Sequence, residues 1–160
     1  MFIKLFISFT LLFTFLGCGK NPCRKIEKRY RQYRAEFAEV PDISFQQLSS
    51  FTGKYQLIDV REKKEQDVSM LKNAITAKEF LISTPKKDTL YIPYCTIGYR
   101  SGRFSQKLMK KGIQVKNLKG GILGWICAGG EVFKDGKVIK KAHTYGSQWE
   151  YLPENYEAVY

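Results

Sequence analysis

Three short segments that read as strands, Tyr55 to Val60, Thr89 to Tyr94 and Val115 to Leu118, alternate with stretches of helical character, which leaves few folds open. The first two carry the β-branched and aromatic residues of buried strands. Between them, Glu62 to Asp67 is polar and helix-prone. In Ser101 to Lys111, Phe104 and Leu108 fall one helical turn apart among Lys107, Lys110 and Lys111. Strands joined through helices cross over right-handed and build a parallel sheet covered on both faces. The expected fold class is therefore α/β. Asn21 and Pro22 open an N-terminal helix in cap-then-proline order, with Ile26, Tyr30, Tyr33 and Phe37 on one face until Val40 and Pro41 stop it. That stripe either packs on the domain or leaves the helix standing off a membrane. Ser44 and Gln47 make a capping box for a short helix through Phe51, Ala74 to Ala77 reads as a small strand, and Gly120-Gly121 leads into a last helix through Trp125. Past Gly130 the style changes to a hairpin, Val132-Phe133 and Val138-Ile139 about a turn at Asp135-Gly136. With 160 residues, 44% of them hydrophobic, the chain has material for one core.

One cysteine sits where a strand hands over to a helix. Residues Cys95, Thr96, Ile97, Gly98, Tyr99 and Arg100 link the run ending at Tyr94 to the helix that follows, so a tight loop joins them. Loop N–H groups and the positive end of that helix favour a thiolate or an oxyanion in the cup. Arg100 adds a permanent charge at the rim. In a parallel sheet, ligands bind beyond the carboxyl ends of the strands, where Cys95 lies. Gly98 is expected to take a positive φ.

The chain carries a formal net charge of +12. Nucleic acid is not the expected partner, because seven basic residues (Lys20, Arg24, Lys25, Lys28, Arg29, Arg31, Arg34) crowd into one stretch without any nucleic-acid module signature. A solvated segment near a membrane surface accounts for them. Before it, Leu5 to Leu16 is apolar but shorter than a comfortable span, as in an export signal. Phe15-Leu16-Gly17-Cys18 resembles a bacterial lipobox, which implies cleavage before Cys18 and lipid attachment to it. The expectation is a lipoprotein on the periplasmic or outer face; the alternative is an uncleaved anchor with the domain in the cytoplasm. The four cysteines have no metal-site spacing. Cys127 reads as a buried inert thiol, with a resolving partner for Cys95 as the minority reading, and Cys23 as a linker thiol.

Four stretches together resemble a single-domain rhodanese. Leu57 to Glu62 is similar to the family's strand ending in Asp-Val-Arg, and Cys95 to Ser101 to its active-site loop. Lys119-Gly120-Gly121-Ile122 and Trp125 resemble its Gly-Gly and tryptophan segment, in matching order. The likeness covers about residues 43–130. The implied organisation is a signal peptide at 1–17, a basic linker and helix at 18–42, a rhodanese-like domain at 43–130 and a C-terminal hairpin and tail at 131–160. The family's Gly-His-Ile and Pro-Gly-Ala segment is replaced by Ser69 to Ala74. The tail His143-Thr144-Tyr145 with Trp149 resembles one found in some rhodaneses with a similar loop; for His143 a structural role outside the site is favoured.

The resemblance implies sulfurtransferase chemistry. Cys95 would attack the outer sulfur of a sulfane donor such as thiosulfate, keep it as a persulfide and pass it to a thiol or cyanide-like acceptor, with a protein acceptor as a further candidate. Arg100 and the loop amides would ease the charge on the leaving group. Thr96, Ile97, Gly98, Tyr99, Arg100 and Ser101 would bind substrate, the Thr96 hydroxyl among them. Asp59 and Arg61 would form a supporting pair beneath the loop. No metal or organic cofactor is implied. The count Cys-x4-Arg is the family's length for sulfur transfer, whereas phosphatases and arsenate reductases of related folds use Cys-x5-Arg, whose last position here is Ser101. A persulfide carrier or sensor without turnover is the remaining alternative.

Overall fold

The computed structural model describes residues 22–160, so the N-terminal apolar run and Cys18 lie outside the described residues. Five strands pair in parallel: β1 (Asp42–Ile43), β2 (Tyr55–Asp59), β3 (Ile75–Thr76), β4 (Leu90–Tyr94) and β5 (Asn117–Leu118). β3, β2 and β4 make one ladder and β5 with β1 another; a parallel bridge between Tyr91 and Val115 joins them in the order β3-β2-β4-β5-β1. The two-residue β1 and the helix α4 (Ala77–Ile82) are additions to the expected elements. α4 starts on a capping box between Thr76 and Glu79, a signal present in the sequence.

Because strand side chains alternate in direction, neighbouring residues feed opposite cores. Leu57, Ile92 and Tyr94 pack with Leu48 of α2 (Phe45–Ser49) and with Ile122 and Ile126 of α6 (Gly121–Cys127). Ile58 and Tyr91 turn to the other face, against Phe80 of α4 and Leu108 of α5 (Tyr99–Met109). Both faces are thereby covered, as the continuous apolar runs predict. A short α3 (Lys63–Val68) follows β2. β6 (Val132–Lys134) and β7 (Lys137–Ile139) form the expected antiparallel hairpin. The tail is not loose. Its β8 (Lys141–His143) pairs in parallel with β9 (Glu157–Val159), and Ala142 is fully buried in the main core.

The N-terminal helix α1 (Pro22–Arg34) is shorter than its apolar stripe suggests, giving way to a 3-10 turn over Ala35–Phe37. The Arg34 guanidinium spans the segment that follows: it donates to the carbonyls of Phe37 and Val40 and pairs with Asp42 at 2.9 Å, tying the turn after α1 to β1. Ile26, Tyr30, Phe37 and Val40 are all buried, which places the stripe on the domain. No helix among the described residues is long and apolar enough to cross a membrane.

The reading of Cys23 and Cys127 as separate thiols is corrected: they form a disulfide that ties α1 to α6. Burial of Cys127 alone could not reveal this, because the partners are 104 residues apart and meet only when α1 lies along α6. In the chain-entropy account a loop of that length contributes about 5 kcal/mol, by limiting the unfolded chain. Cys23→Ser is expected to lower stability by about 2 to 4 kcal/mol in denaturant melts. The wild type should fall to the same level in reductant.

Candidate active site

Cys95 follows directly on β4, and its sulfur is almost fully enclosed. The loop is shaped from outside by α6. Ile122 N–H donates to the Cys95 carbonyl at 2.8 Å and Leu123 N–H to the Thr96 carbonyl at 3.1 Å. With these carbonyls turned outward, the following N–H groups face the cup. Gly121 makes the approach possible: a Cβ there would lie 2.3 Å from the Cys95 carbonyl oxygen, and its φ is +59°. Gly98, at φ +98°, caps α5, and a Cβ on it would strike the Tyr30 ring at 2.6 Å. Its N–H donates to the Cys95 sulfur at 3.2 Å, and the Ser101 hydroxyl reaches the same sulfur at 3.7 Å. Asn117 holds the loop's far side, donating to the Gly98 carbonyl and the Tyr30 hydroxyl.

Arg100 does not stand free at the rim. Glu65 of α3, wholly buried, accepts from both of its terminal nitrogens at 2.7 Å, and the same guanidinium donates to the Thr96 hydroxyl at 3.0 Å. Thr96 in turn donates to Glu65 at 2.9 Å, so its hydroxyl is engaged with both members of the pair. Burial raises the Glu65 pKa, but Arg100, the Glu62 N–H and Thr96 outweigh it and bring it from 4.5 to about 2. Burial likewise opposes the Arg100 charge, and Glu65 together with the neighbouring Cys95 sulfur more than restores it, holding this pKa above the ordinary arginine range. Sequence reasoning missed Glu65. Its one local signal was a capping box with Glu62; its partner Arg100 lies 35 residues on.

Asp59 and Arg61 form a fully buried pair at 2.7 Å. Tyr94 donates to Asp59 at 2.7 Å and Arg61 to the Ser69 carbonyl, so the pair joins β2, β4 and the Ser69 turn beneath the loop without touching the cup. Ile97 packs with Ile26 and Leu123. Tyr99 packs at a tilt against Tyr33, with centroids 5.0 Å apart, and donates to Glu36, so it packs on the domain. Arg103, farther along α5, donates to the Glu36 carbonyl and takes no part in the cup. His143 is buried outside the cup; its Nδ1 accepts the Tyr145 N–H at 2.9 Å, and burial lowers its pKa from the ordinary histidine range. Beside Cys95 opens a cavity of about 220 Å³, with Tyr33, Tyr99, Tyr145 and Trp149 among its walls.

A family model described as "Rhodanese-like domain" matches residues 44–128, just over half the chain. The chain belongs to the rhodanese-like domain family. A rhodanese-related protein of Thermoplasma volcanium shares 26% identity over 58% of this chain and 97% of its own, with a TM-score of 0.51. Two further structures share the fold. The thiosulfate sulfurtransferase of Pseudomonas aeruginosa matches at 20% identity and TM-score 0.55 over 73% of this chain, which spans 23% of that protein. A Rhodopseudomonas palustris protein described as a possible tyrosine phosphatase matches at 17% and 0.51, over 69% of this chain and 93% of its own. No curated protein matches. Within this rhodanese-like chain, the loop, Glu65 and the Gly-Gly turn lie inside the matched residues, whereas Tyr33, Tyr145 and Trp149 lie outside them.

The Glu65 pKa is depressed on folding, so its contribution to stability is complete above 4.5 and is lost as pH falls toward about 2. Glu65→Gln is expected to cost about 3 kcal/mol in urea melts at neutral pH. The gap between variant and wild type should close across that acid window.

Proposed function

We propose that this protein is a sulfurtransferase that carries sulfur as a persulfide on Cys95. The observation that carries the reading is the Cys95 sulfur, held at 3.2 Å from the Gly98 N–H in a six-residue loop whose carbonyls are bound on the outside. In the proposed step the Cys95 thiolate attacks the outer sulfur of a sulfane donor. The new Cys95 sulfur–sulfur bond forms as the donor's sulfur–sulfur bond breaks, and its electron pair leaves with the remainder of the donor. The terminal sulfur of the persulfide then occupies the cup under the N–H groups that begin α5. An acceptor thiolate or cyanide attacks it and returns Cys95 to the thiolate. Ser101 stands at the position where a Cys-x5-Arg phosphatase loop has its arginine, so the oxyanion clamp of that chemistry is missing one member. In a steady-state assay with thiosulfate and cyanide, thiocyanate should form at a rate that Cys95→Ala abolishes; a rate equal to that control would contradict turnover.

The proposed location is the outer side of a membrane, with lipid on Cys18. The Cys23–Cys127 disulfide supports this, since such bonds persist in oxidising compartments. Exposed Arg24, Lys28 and Arg31 on α1 would meet anionic headgroups. Protein extracted from membranes of its host should begin at Cys18 and carry the mass of the lipid. An intact Met1 terminus would favour the uncleaved anchor.

A further inference from the structure

The cavity beside Cys95 is unlike a site for a small dianion. Among the described residues its one charged wall is Arg100, whose guanidinium is held by Glu65 in a two-point ion pair while also facing the Cys95 sulfur. Within the pair the Glu65 carboxylate offsets the charge of the guanidinium. What remains to meet a ligand is largely aromatic: Tyr33 from α1, Tyr99 from α5, and Tyr145 with Trp149 from the tail. Tyr145 also lies over Arg100, 5.1 Å from its ring centroid, covering part of the cation that the ion pair leaves open.

These walls are built in rather than incidental. The disulfide and the buried Ile26 and Tyr30 fix α1, which presents Tyr33. Pairing of β8 with β9 fixes the tail, and Arg29 of α1 lies 5.6 Å from the Trp149 ring, bringing the two additions together over the cup. Arg29 itself is not part of the cavity wall. A volume of about 220 Å³ is below the range of roughly 300 to 1,000 Å³ that takes drug-sized ligands, so the space suits one ring or a short branched chain.

We propose that the sulfur donor of this site is a small organic sulfane-sulfur compound bearing an apolar, ring-sized group, in preference to inorganic thiosulfate. The proposal rests on the sulfurtransferase reading and names its substrate class. With an organic persulfide R–S–SH, Cys95 thiolate attacks the outer sulfur, the donor's sulfur–sulfur bond breaks, and R–S⁻ departs while Cys95 keeps the –S–SH group. The apolar R group stays on the aromatic walls, where burial and ring contacts favour it, and no uncompensated cation is required.

Benzenethiosulfonate and thiosulfate make a matched pair of probes, because the first replaces one charged oxygen of the second with a phenyl ring. With cyanide as common acceptor, kcat/KM for benzenethiosulfonate should exceed that for thiosulfate by about tenfold or more, the scale of a hydrophobic-pocket preference. Trp149→Ala should reduce this ratio by about fivefold, which separates wall contacts from the intrinsic reactivity of the two leaving groups. Glu65→Gln should lower it as well, by returning the Arg100 charge to the cavity. A wild-type ratio at or below one, or a ratio that Trp149→Ala leaves unchanged, overturns the proposal while the sulfurtransferase reading stands. Absence of Cys95-dependent turnover with both donors removes that reading and the proposal with it.

Discussion

The seating of α6 on the reactive loop is the constraint from which the site follows. Two N–H groups at the start of α6 take the carbonyls of Cys95 and Thr96. A peptide carbonyl turned outward forces the next N–H inward, so these bonds, made outside the cup, set the polarity inside it. Gly121 is the condition for them, since any side chain there would collide with the Cys95 carbonyl. The parallel sheet delivers the cysteine to the end of β4, and α6 then decides which atoms it meets.

A second constraint acts on charge. The loop ends in an arginine, and an arginine beside a thiolate is ordinarily read as the anion's counter-charge. Here Glu65 takes that charge, and Thr96 closes a three-member network with both. Burying the carboxylate would be costly alone; the two-point pair with Arg100 and the N–H of Glu62 compensate for it. The result is a cup in which the Gly98 N–H and the Ser101 hydroxyl reach the sulfur, beside a paired arginine and surrounded by rings. The rings from α1 and the tail lie outside the residues that the family model matches, whereas the loop lies inside them.

How much of this was legible in the sequence follows the range of each interaction. Strands β2 to β5 of the central sheet, the hairpin and the Gly98 turn are encoded within a few residues of themselves, and the structure has them where those signals lie, whereas β1 is not among the expected elements. The α/β class followed from their alternation. Three features that shape the site escaped: the Cys23–Cys127 bond, the Glu65–Arg100 pair and the tail's approach to Cys95. Each joins segments far apart in the chain, and none changes local composition or periodicity. Glu65 looked like any other residue of a charged helical turn, and only Arg100 makes it a buried anion.

The central claim is that sulfur bound at Cys95 is held by the loop's N–H groups. Its most direct test is site-resolved mass spectrometry of the purified protein after brief exposure to a sulfane donor. The account predicts one added sulfur atom per chain, on the peptide containing Cys95, absent from Cys95→Ser and removed by cyanide. An unmodified Cys95 after exposure to both inorganic and aryl donors, or sulfur found on other cysteines instead, would contradict it.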